Sequence, residues 1–284
     1  MKHILSTHLI ANHRLTTAWL ERVRKIGVDG VEIFCARQSF DYRDRAQIRE
    51  LTHWFRDSEL ELFSLHAPMY RDEVWGRSGP HAVIDITEPS KPKRIDHVDE
   101  IKRAIEVAES IPFRFLVQHL GVPDQEWDER RIDPLFSSLE DLKVFAHQRG
   151  VTVLVENIPN GFSSAERLNL LMELTHLDLG YCFDVGHANL MEGIERAYEQ
   201  MAPRIRSTHL HDNDGKGDLH WFPYSRPEAT VQWRRVMQLL RRHQEELPLV
   251  LELREVEGMA DPLGRVQEIF EKLESERDEE DHDR

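Results

Sequence analysis

The sequence predicts a single-domain α/β protein, a (β/α)8 TIM barrel, and three observations carry that prediction. Short apolar strand patterns alternate with helical patterns along the chain, eight of each. Strict alternation implies parallel strands joined by helical crossovers. The chain has 284 residues, slightly more than the ~250 typical of eight such units. The turn after the first strand lacks a Gly-x-Gly-x-x-Gly pattern, which argues against an open dinucleotide-binding sheet. No linker divides the chain, so one domain is expected over residues 1–273.

The elements follow in order. A strand is expected over 3–10, and a helix over 15–26 that Gly27 ends. A strand at 31–34 and a helix at 42–57 come next. The third strand, 60–65, runs into His66-Ala67-Pro68. From 69 to 94 no periodicity holds, and glycines, prolines and charges are mixed. An irregular stretch of that length reads as a lid or binding loop over the mouth. A helix resumes at 95–109. The strand 113–118 ends in His119-Leu120-Gly121. The next helix, 133–148, has Asp133 as its expected N-cap and Pro134 in its first turn. The strand 151–155 ends in Glu156-Asn157, and Ser163 or Ser164 caps the following helix. The strand 181–183 leads to Asp184-Val185-Gly186-His187, and a helix covers 194–201. A strand from 205 carries His209 and His211 and opens into a polar loop. A helix at 231–243, a strand at 249–253 and a helix at 261–273 complete the series. Residues 274–284 are almost all charged and read as a frayed tail.

Composition narrows the function. The net charge is -15, which argues against a duplex-binding protein, since phosphate contacts need Lys and Arg. The two cysteines, Cys35 and Cys182, are too few for a disulfide framework and suit a reducing, cytoplasmic setting. The first residues lack a signal-peptide core, and no apolar run reaches the ~20 residues of a membrane helix.

In a barrel the C-terminal strand ends converge on one mouth. Those ends carry His66, His119, Glu156, Asp184 with His187, His209 with Asp218 and His220, and Glu252. Alternation aims them inward: Val151, Val153 and Val155 share one strand face, Leu154 and Glu156 the other. In the last strand the leucines face out, and Glu252 and Arg254 face in. Crowded carboxylates and imidazoles repel and desolvate one another without a cation. A divalent ion such as zinc, manganese, cobalt or magnesium removes that penalty.

Each residue also has a plainer reading. Asp184 and His187 fit a capped turn, and Glu156 fits an internal ion pair with Arg254. Lys91, Lys93, Arg94, Arg234, Arg235, Arg241 and Arg242 read as solvated faces. Trp19, Trp54 and Trp233 read as packing. Trp75, in the long loop, is placed to close over a ligand, and Glu32 to support the ligands from the second strand.

The motifs His-Ala-Pro at 66–68, His-Leu-Gly at 119–121, Glu-Asn at 156–157, Asp-Val-Gly-His at 184–187, His-Leu-His-Asp at 209–212, Asp-Leu-His at 218–220 and Glu252 resemble the xylose isomerase-like barrels. That superfamily includes sugar and sugar-phosphate isomerases and epimerases, and the type IV apurinic-site endonucleases. The epimerase branch implies one divalent metal on Glu156, Asp184, His209 and Glu252. The two glutamates would move protons through a metal-stabilised enediolate, and His66, His119 and His187 would contact substrate. The endonuclease branch implies three zinc ions, with His66, His119, His187, Asp218 and His220 as further ligands.

The acidic net charge and the long 69–94 segment favour the isomerase branch. The well-studied ketose 3-epimerases carry a second glutamate after the strand-five Glu and an arginine after the strand-seven His. Here those regions read Ile158 to Phe162 and Asp212 to Lys216, so a different sugar or sugar derivative is expected. Lys216 and Arg254 are candidates for a phosphate or carboxylate. The expected function is thus a metal-dependent sugar isomerase or epimerase with a small-molecule substrate, no membrane partner and scope for a homo-oligomer. The alternatives are a trinuclear zinc phosphodiesterase acting on abasic DNA and a non-catalytic metal- or ligand-binding barrel.

Overall fold

The computed structural model describes residues 1–276. Eight parallel strands form the expected barrel: β1 (His3–Ser6), β2 (Gly30–Phe34), β3 (Glu61–His66), β4 (Phe115–His119), β5 (Thr152–Glu156), β6 (Gly180–Asp184), β7 (Ile205–His209) and β8 (Leu249–Leu251). They pair in the order β7-β6-β5-β4-β3-β2-β1-β8. A parallel bridge between Leu210 and Leu251 closes the ring. There Leu210 N donates to Val250 O at 2.8 Å, and Glu252 N donates to Leu210 O at 3.2 Å.

The helices are α1 (Thr17–Lys25), α2 (Arg45–Arg56), α3 (Lys91–Ile105), α4 (Ile132–His147) and α5 (Ala165–Leu174) in the first half of the chain. The second half has α6 (Val185–Leu190), α7 (Ile194–Met201), α8 (Trp233–Arg241) and α9 (Pro262–Ser275). None of the described helices is long and apolar enough to cross a membrane.

Alternation along the strands sorts two cores. Ile4, Phe63, Phe115, Val117, Leu154, Cys182 and Val250 fill the barrel interior. Val151, Val153, Val155, Leu249, Leu251 and Leu253 face the helices in the larger outer core. Burying each such side chain is worth roughly 1.5–3 kcal/mol. On β5, Leu154 belongs to the interior plug. Two residues on, Glu156 therefore emerges on the same inner face at the mouth.

Several boundaries differ from the sequence reading. β1 stops at Ser6, and Thr7–Ile10 form a 3-10 turn. Ser6 Oγ caps it by accepting from His8 N. α3 begins at Lys91 with Pro92 in its first turn, where proline is well tolerated, four residues before the start at 95 that periodicity predicts. α4 is preceded by a 3-10 turn over Glu129–Arg131 that Asp128 caps, and Asp133 lies inside the first turn of the helix instead of capping it. A ninth helix, α6, follows β6 directly. α9 continues past residue 273 to Ser275, and Glu274 pairs with His3 at the start of β1 and with the Met1 amino group before it. The rest of the charged tail, 277–284, lies outside the described residues.

The irregular stretch after β3 is folded. Tyr70 and Val83 form an antiparallel bridge. Ile84 and Ile86 are buried, and Arg131 reaches Asp85 at 2.9 Å. Met69 and Trp75 pack against Ala11, Phe34 and Ala36 at the mouth.

Candidate metal centre

The strand ends deliver their side chains as expected. His66 closes β3, His119 closes β4, Glu156 closes β5, Asp184 closes β6 and His209 closes β7. Glu252 follows β8 by one residue. His187 stands on α6. Asp218 and His220 come from the loop after β7.

These residues fall into three adjoining groups. Within each, one ligand atom per residue lies within 4.8 Å of the others. The deep group is Glu156, Asp184, His209 and Glu252, all buried. The second is His66, His119 and Glu156. The third is His187, Asp218 and His220 joined by His211. Glu156 belongs to two groups. Its Oε2 lies 3.1 Å from His119 Nε2 and 3.5 Å from His66 Nε2. Its Oε1 lies 3.0 Å from His209 Nδ1.

Backbone carbonyls fix which imidazole nitrogen faces the mouth. His66 Nδ1 pairs with Ala67 O, His187 Nδ1 with Asn157 O and His220 Nδ1 with Glu252 O, at 2.9, 2.9 and 3.0 Å. With Nδ1–H donated, each Nε2 points toward the ligand groups and offers them a lone pair once its own proton is lost. Asn157 fixes Asp184 in turn: its side chain accepts from Asp184 N and donates to Asp184 O, both at 2.8 Å. Asp184 Oδ1 caps α6 through His187 N at 2.6 Å. The turn-capping reading of Asp184 therefore holds for that oxygen. Its Oδ2 is buried without a hydrogen-bond partner.

Burial would raise the Glu156 carboxyl, but His209, His119 and His187 hold it well below its ordinary range. Burial would likewise raise Asp218, and His220 and His187 reverse that. Burial would lower His187, yet Asp184, Asp218 and Glu156 lift it well above its ordinary value. Burial would lower His209 too, and Cys182, Glu32, Glu252 and Glu156 lift it well above its ordinary value. Protons on imidazoles thus balance the carboxylates in this state, the work a cation does in a metal site.

The donor set fits a divalent ion. Oxygen and imidazole mixed at these spacings suit zinc, manganese or cobalt. The third group, with three imidazoles, is a poor match for magnesium, which prefers oxygen. The orphaned Asp184 Oδ2 and both unsatisfied ring nitrogens of His211 are polar atoms that a bound ion would satisfy. His211 Nε2 lies 3.1 Å from Asp184 Oδ1, off the hydrogen-bonding direction.

The sequence pattern of the xylose isomerase-like TIM barrels matches residues 20–275. The chain belongs to that family. Within the likeness, an uncharacterized protein of Methanocaldococcus jannaschii, MJ1311, is 26% identical over 234 residues, covering 78% of this chain and 73% of its own length. Two further curated relatives are matched over only about half of theirs. A solved D-tagatose 3-epimerase-like protein superposes with a TM-score of 0.77 at 23% identity, over 96% of this chain and 97% of its own. The IolI protein, solved with a bound zinc atom, superposes with a TM-score of 0.74 at 16% identity, over 96% of each chain. At those identities the structures establish the shared barrel.

In this xylose isomerase-like barrel, all nine ligand-type residues picked out by their positions in the sequence meet at the mouth. Arg254 lines the cavity there, and no described residue pairs with its guanidinium, so the internal Glu156–Arg254 ion pair does not form. Lys216 does not join them. It is exposed on the loop, in a turn where Asp214 Oδ1 accepts from both Lys216 N and Gly217 N, and it is not among the cavity-lining residues.

Two residues, His211 and His8, add to the expected set, and Glu32 lies behind the ligands where the sequence put it. His211 shares the inner face with His209. Only a glycine at position 186 leaves room for its ring, and that glycine beside a histidine pair was the available signal. His8 reaches the cavity because β1 turns early. Glu32 is fully buried on β2 and accepts from His209 Nε2 at 3.1 Å and from Ser64 Oγ at 2.9 Å. That contact fixes the His209 ring, the arrangement a carboxylate has behind a histidine in a metal site. Glu32→Gln is expected to keep the fold and weaken divalent-ion binding by roughly tenfold to a hundredfold. Calorimetric titration with zinc or manganese measures this, and unchanged affinity would contradict it.

Proposed function

We propose that the protein is a divalent-metal-dependent isomerase or epimerase of a small sugar derivative. One observation carries the reading: Glu252 both belongs to the deep four-ligand group and lines a cavity of about 340 Å³. That volume is in the range of small-molecule sites. Phe34, Met69, Trp75 and Ile158 wall it, which suits one compact substrate better than a duplex.

A divalent ion held by Glu156, Asp184, His209 and Glu252 would supply carbonyl polarisation. Glu252, at the cavity, is placed to take the proton beside that carbonyl. The family resemblance gives a second proton role to Glu156. Here Glu156 sits beneath the cavity lining with both oxygens against imidazoles, so holding the ion is its proposed task. His119, on β4 across the ring from β8, lines the opposite wall and is the group placed to serve the other face of the substrate. Burial keeps its imidazole below its ordinary value, against the pull of Glu156.

The test is solvent-deuterium incorporation into a panel of ketoses, sugar acids and sugar phosphates. The proposal predicts exchange by the metal-loaded protein and a loss of at least about a hundredfold in Glu252→Gln. Full exchange in that variant would overturn it.

A second reading has its own support. The second and third groups adjoin the deep one, as a trinuclear zinc phosphodiesterase requires. It predicts three zinc ions per chain and cleavage of an abasic duplex. A single ion with no cleavage removes it.

A further inference from the structure

We infer that Arg254, His8 and Trp75 form a subsite for an anionic group of the substrate, a carboxylate or a phosphate. The inference rests on the proposed small-molecule reading of the cavity. It names the class of substrate, a sugar acid or sugar phosphate rather than a neutral sugar.

The first observation is an unpaired cation. The chain has 52 acidic residues against 37 Lys and Arg, and arginines such as Arg37, Arg43 and Arg131 pair with carboxylates. Arg254 instead lines the cavity, and its guanidinium has no hydrogen-bond or ion-pair partner among the described residues. It is the only Lys or Arg among the described cavity-lining residues. Its backbone is fixed, since Arg254 N donates to His220 O at 2.8 Å. Inward alternation from Glu252 places it one step above the deep group, toward the rim.

The second observation is independent of charge. His8 is 5% exposed, and its Nδ1 is buried without a hydrogen-bond partner. The Trp75 indole Nε1 is also buried and unpartnered. Both residues line the same cavity as Arg254. Their rings meet edge to face with centroids 5.8 Å apart, and both rest on Phe34. Unsatisfied buried donors are costly and rare in native folds. His8 has an N–H to give there when Nδ1 carries the ring proton. An oxyanion with several acceptor oxygens would satisfy these donors together, and a guanidinium binds carboxylate or phosphate with two parallel N–H groups.

The geometry separates the two ends of a substrate. The carbonyl end belongs over Glu252 and the deep group. The anionic end belongs toward Arg254, under Trp75. A neutral sugar would leave the guanidinium without a counter-charge.

The experiment is calorimetric titration of the zinc-loaded full chain with gluconate, glucose 6-phosphate and glucose. At least one charged probe is expected to bind ten times or more tighter than glucose, the scale of a charge-assisted hydrogen bond. Which of the two wins tells carboxylate from phosphate. Arg254→Gln is expected to bring the ratio near one with metal content unchanged, so a preference arising from the ion itself is told apart. Trp75→Phe, which removes the N–H donor together with part of the ring, is expected to reduce the ratio by a smaller factor than Arg254→Gln. Equal binding of all three probes, binding of none, or a preference that survives Arg254→Gln would overturn the inference. The functional reading stands or falls separately, on exchange in Glu252→Gln.

Discussion

Replacing Glu156 with glutamine is expected to abolish tight metal binding and turnover together. Among the described residues no other carboxylate serves two ligand groups. Its Oε1 faces His209 and its Oε2 faces His119 and His66. Glutamine keeps the size but offers one acceptor oxygen and a donor amide that repels imidazolium and metal alike. Loss of a residue that only orients a ligand costs tenfold to a hundredfold in affinity, so loss of this shared ligand is expected to exceed about a hundredfold. The ion-free variant should also be less stable, because a buried pair broken from one side leaves its partner uncompensated, at a cost of about 3–5 kcal/mol. Calorimetry with zinc or manganese measures the first effect, and thermal unfolding in chelator measures the second. Wild-type affinity in Glu156→Gln would show that the ions, if bound, are held elsewhere.

The second large effect is a pH-dependent stabilisation by metal. In the ion-free protein His187 and His209 titrate well above the ordinary imidazole value. Their contribution to stability is complete below about pH 6.5, the unfolded value, and is lost as pH rises through the raised folded values. Glu32, Glu156, Asp184 and Asp218 titrate below their ordinary values. Their contribution is present above about pH 4 and is lost as pH falls through the depressed folded values. The ion-free barrel should therefore be most stable in weak acid and weaken toward alkaline pH. A divalent ion must displace the imidazole protons, so its affinity rises with pH. At a thousandfold excess over Kd a single ion adds about 4 kcal/mol, a rise in Tm on the order of 10 °C for a chain of this size. The rise on adding zinc should be small at pH 6 and large at pH 8. An equal rise at both, or none, would contradict the proton–metal exchange.

The strand ends were legible because period-two alternation and barrel topology together decide which side chains reach the mouth. Glu156 follows from Leu154, and Glu252 from the outward leucines around it. Glu32 was visible on the same ground, yet its tie to His209 depends on how far β2 and β7 lean across the ring, and no local pattern encodes that. His8 was hidden because its neighbours read as a continuing strand, whereas Ser6 caps a 3-10 turn that redirects the chain. Lys216 was chosen for its proximity in sequence to the ligand loop; it is exposed in the turn that Asp214 caps and is not among the residues lining the cavity. His220 sits at a φ of 46°, a conformation uncommon outside glycine and found where a site holds the backbone in place. Periodicity carries no signal for it.

The central claim is that the barrel mouth is a metal centre. Elemental analysis of untagged protein, purified without chelator, tests it most directly. The account predicts at least one zinc, manganese or cobalt ion per chain, removed by a strong chelator with a matching fall in Tm at pH 8. A chain that carries no divalent ion, and whose Tm does not change when those ions are added, would contradict it.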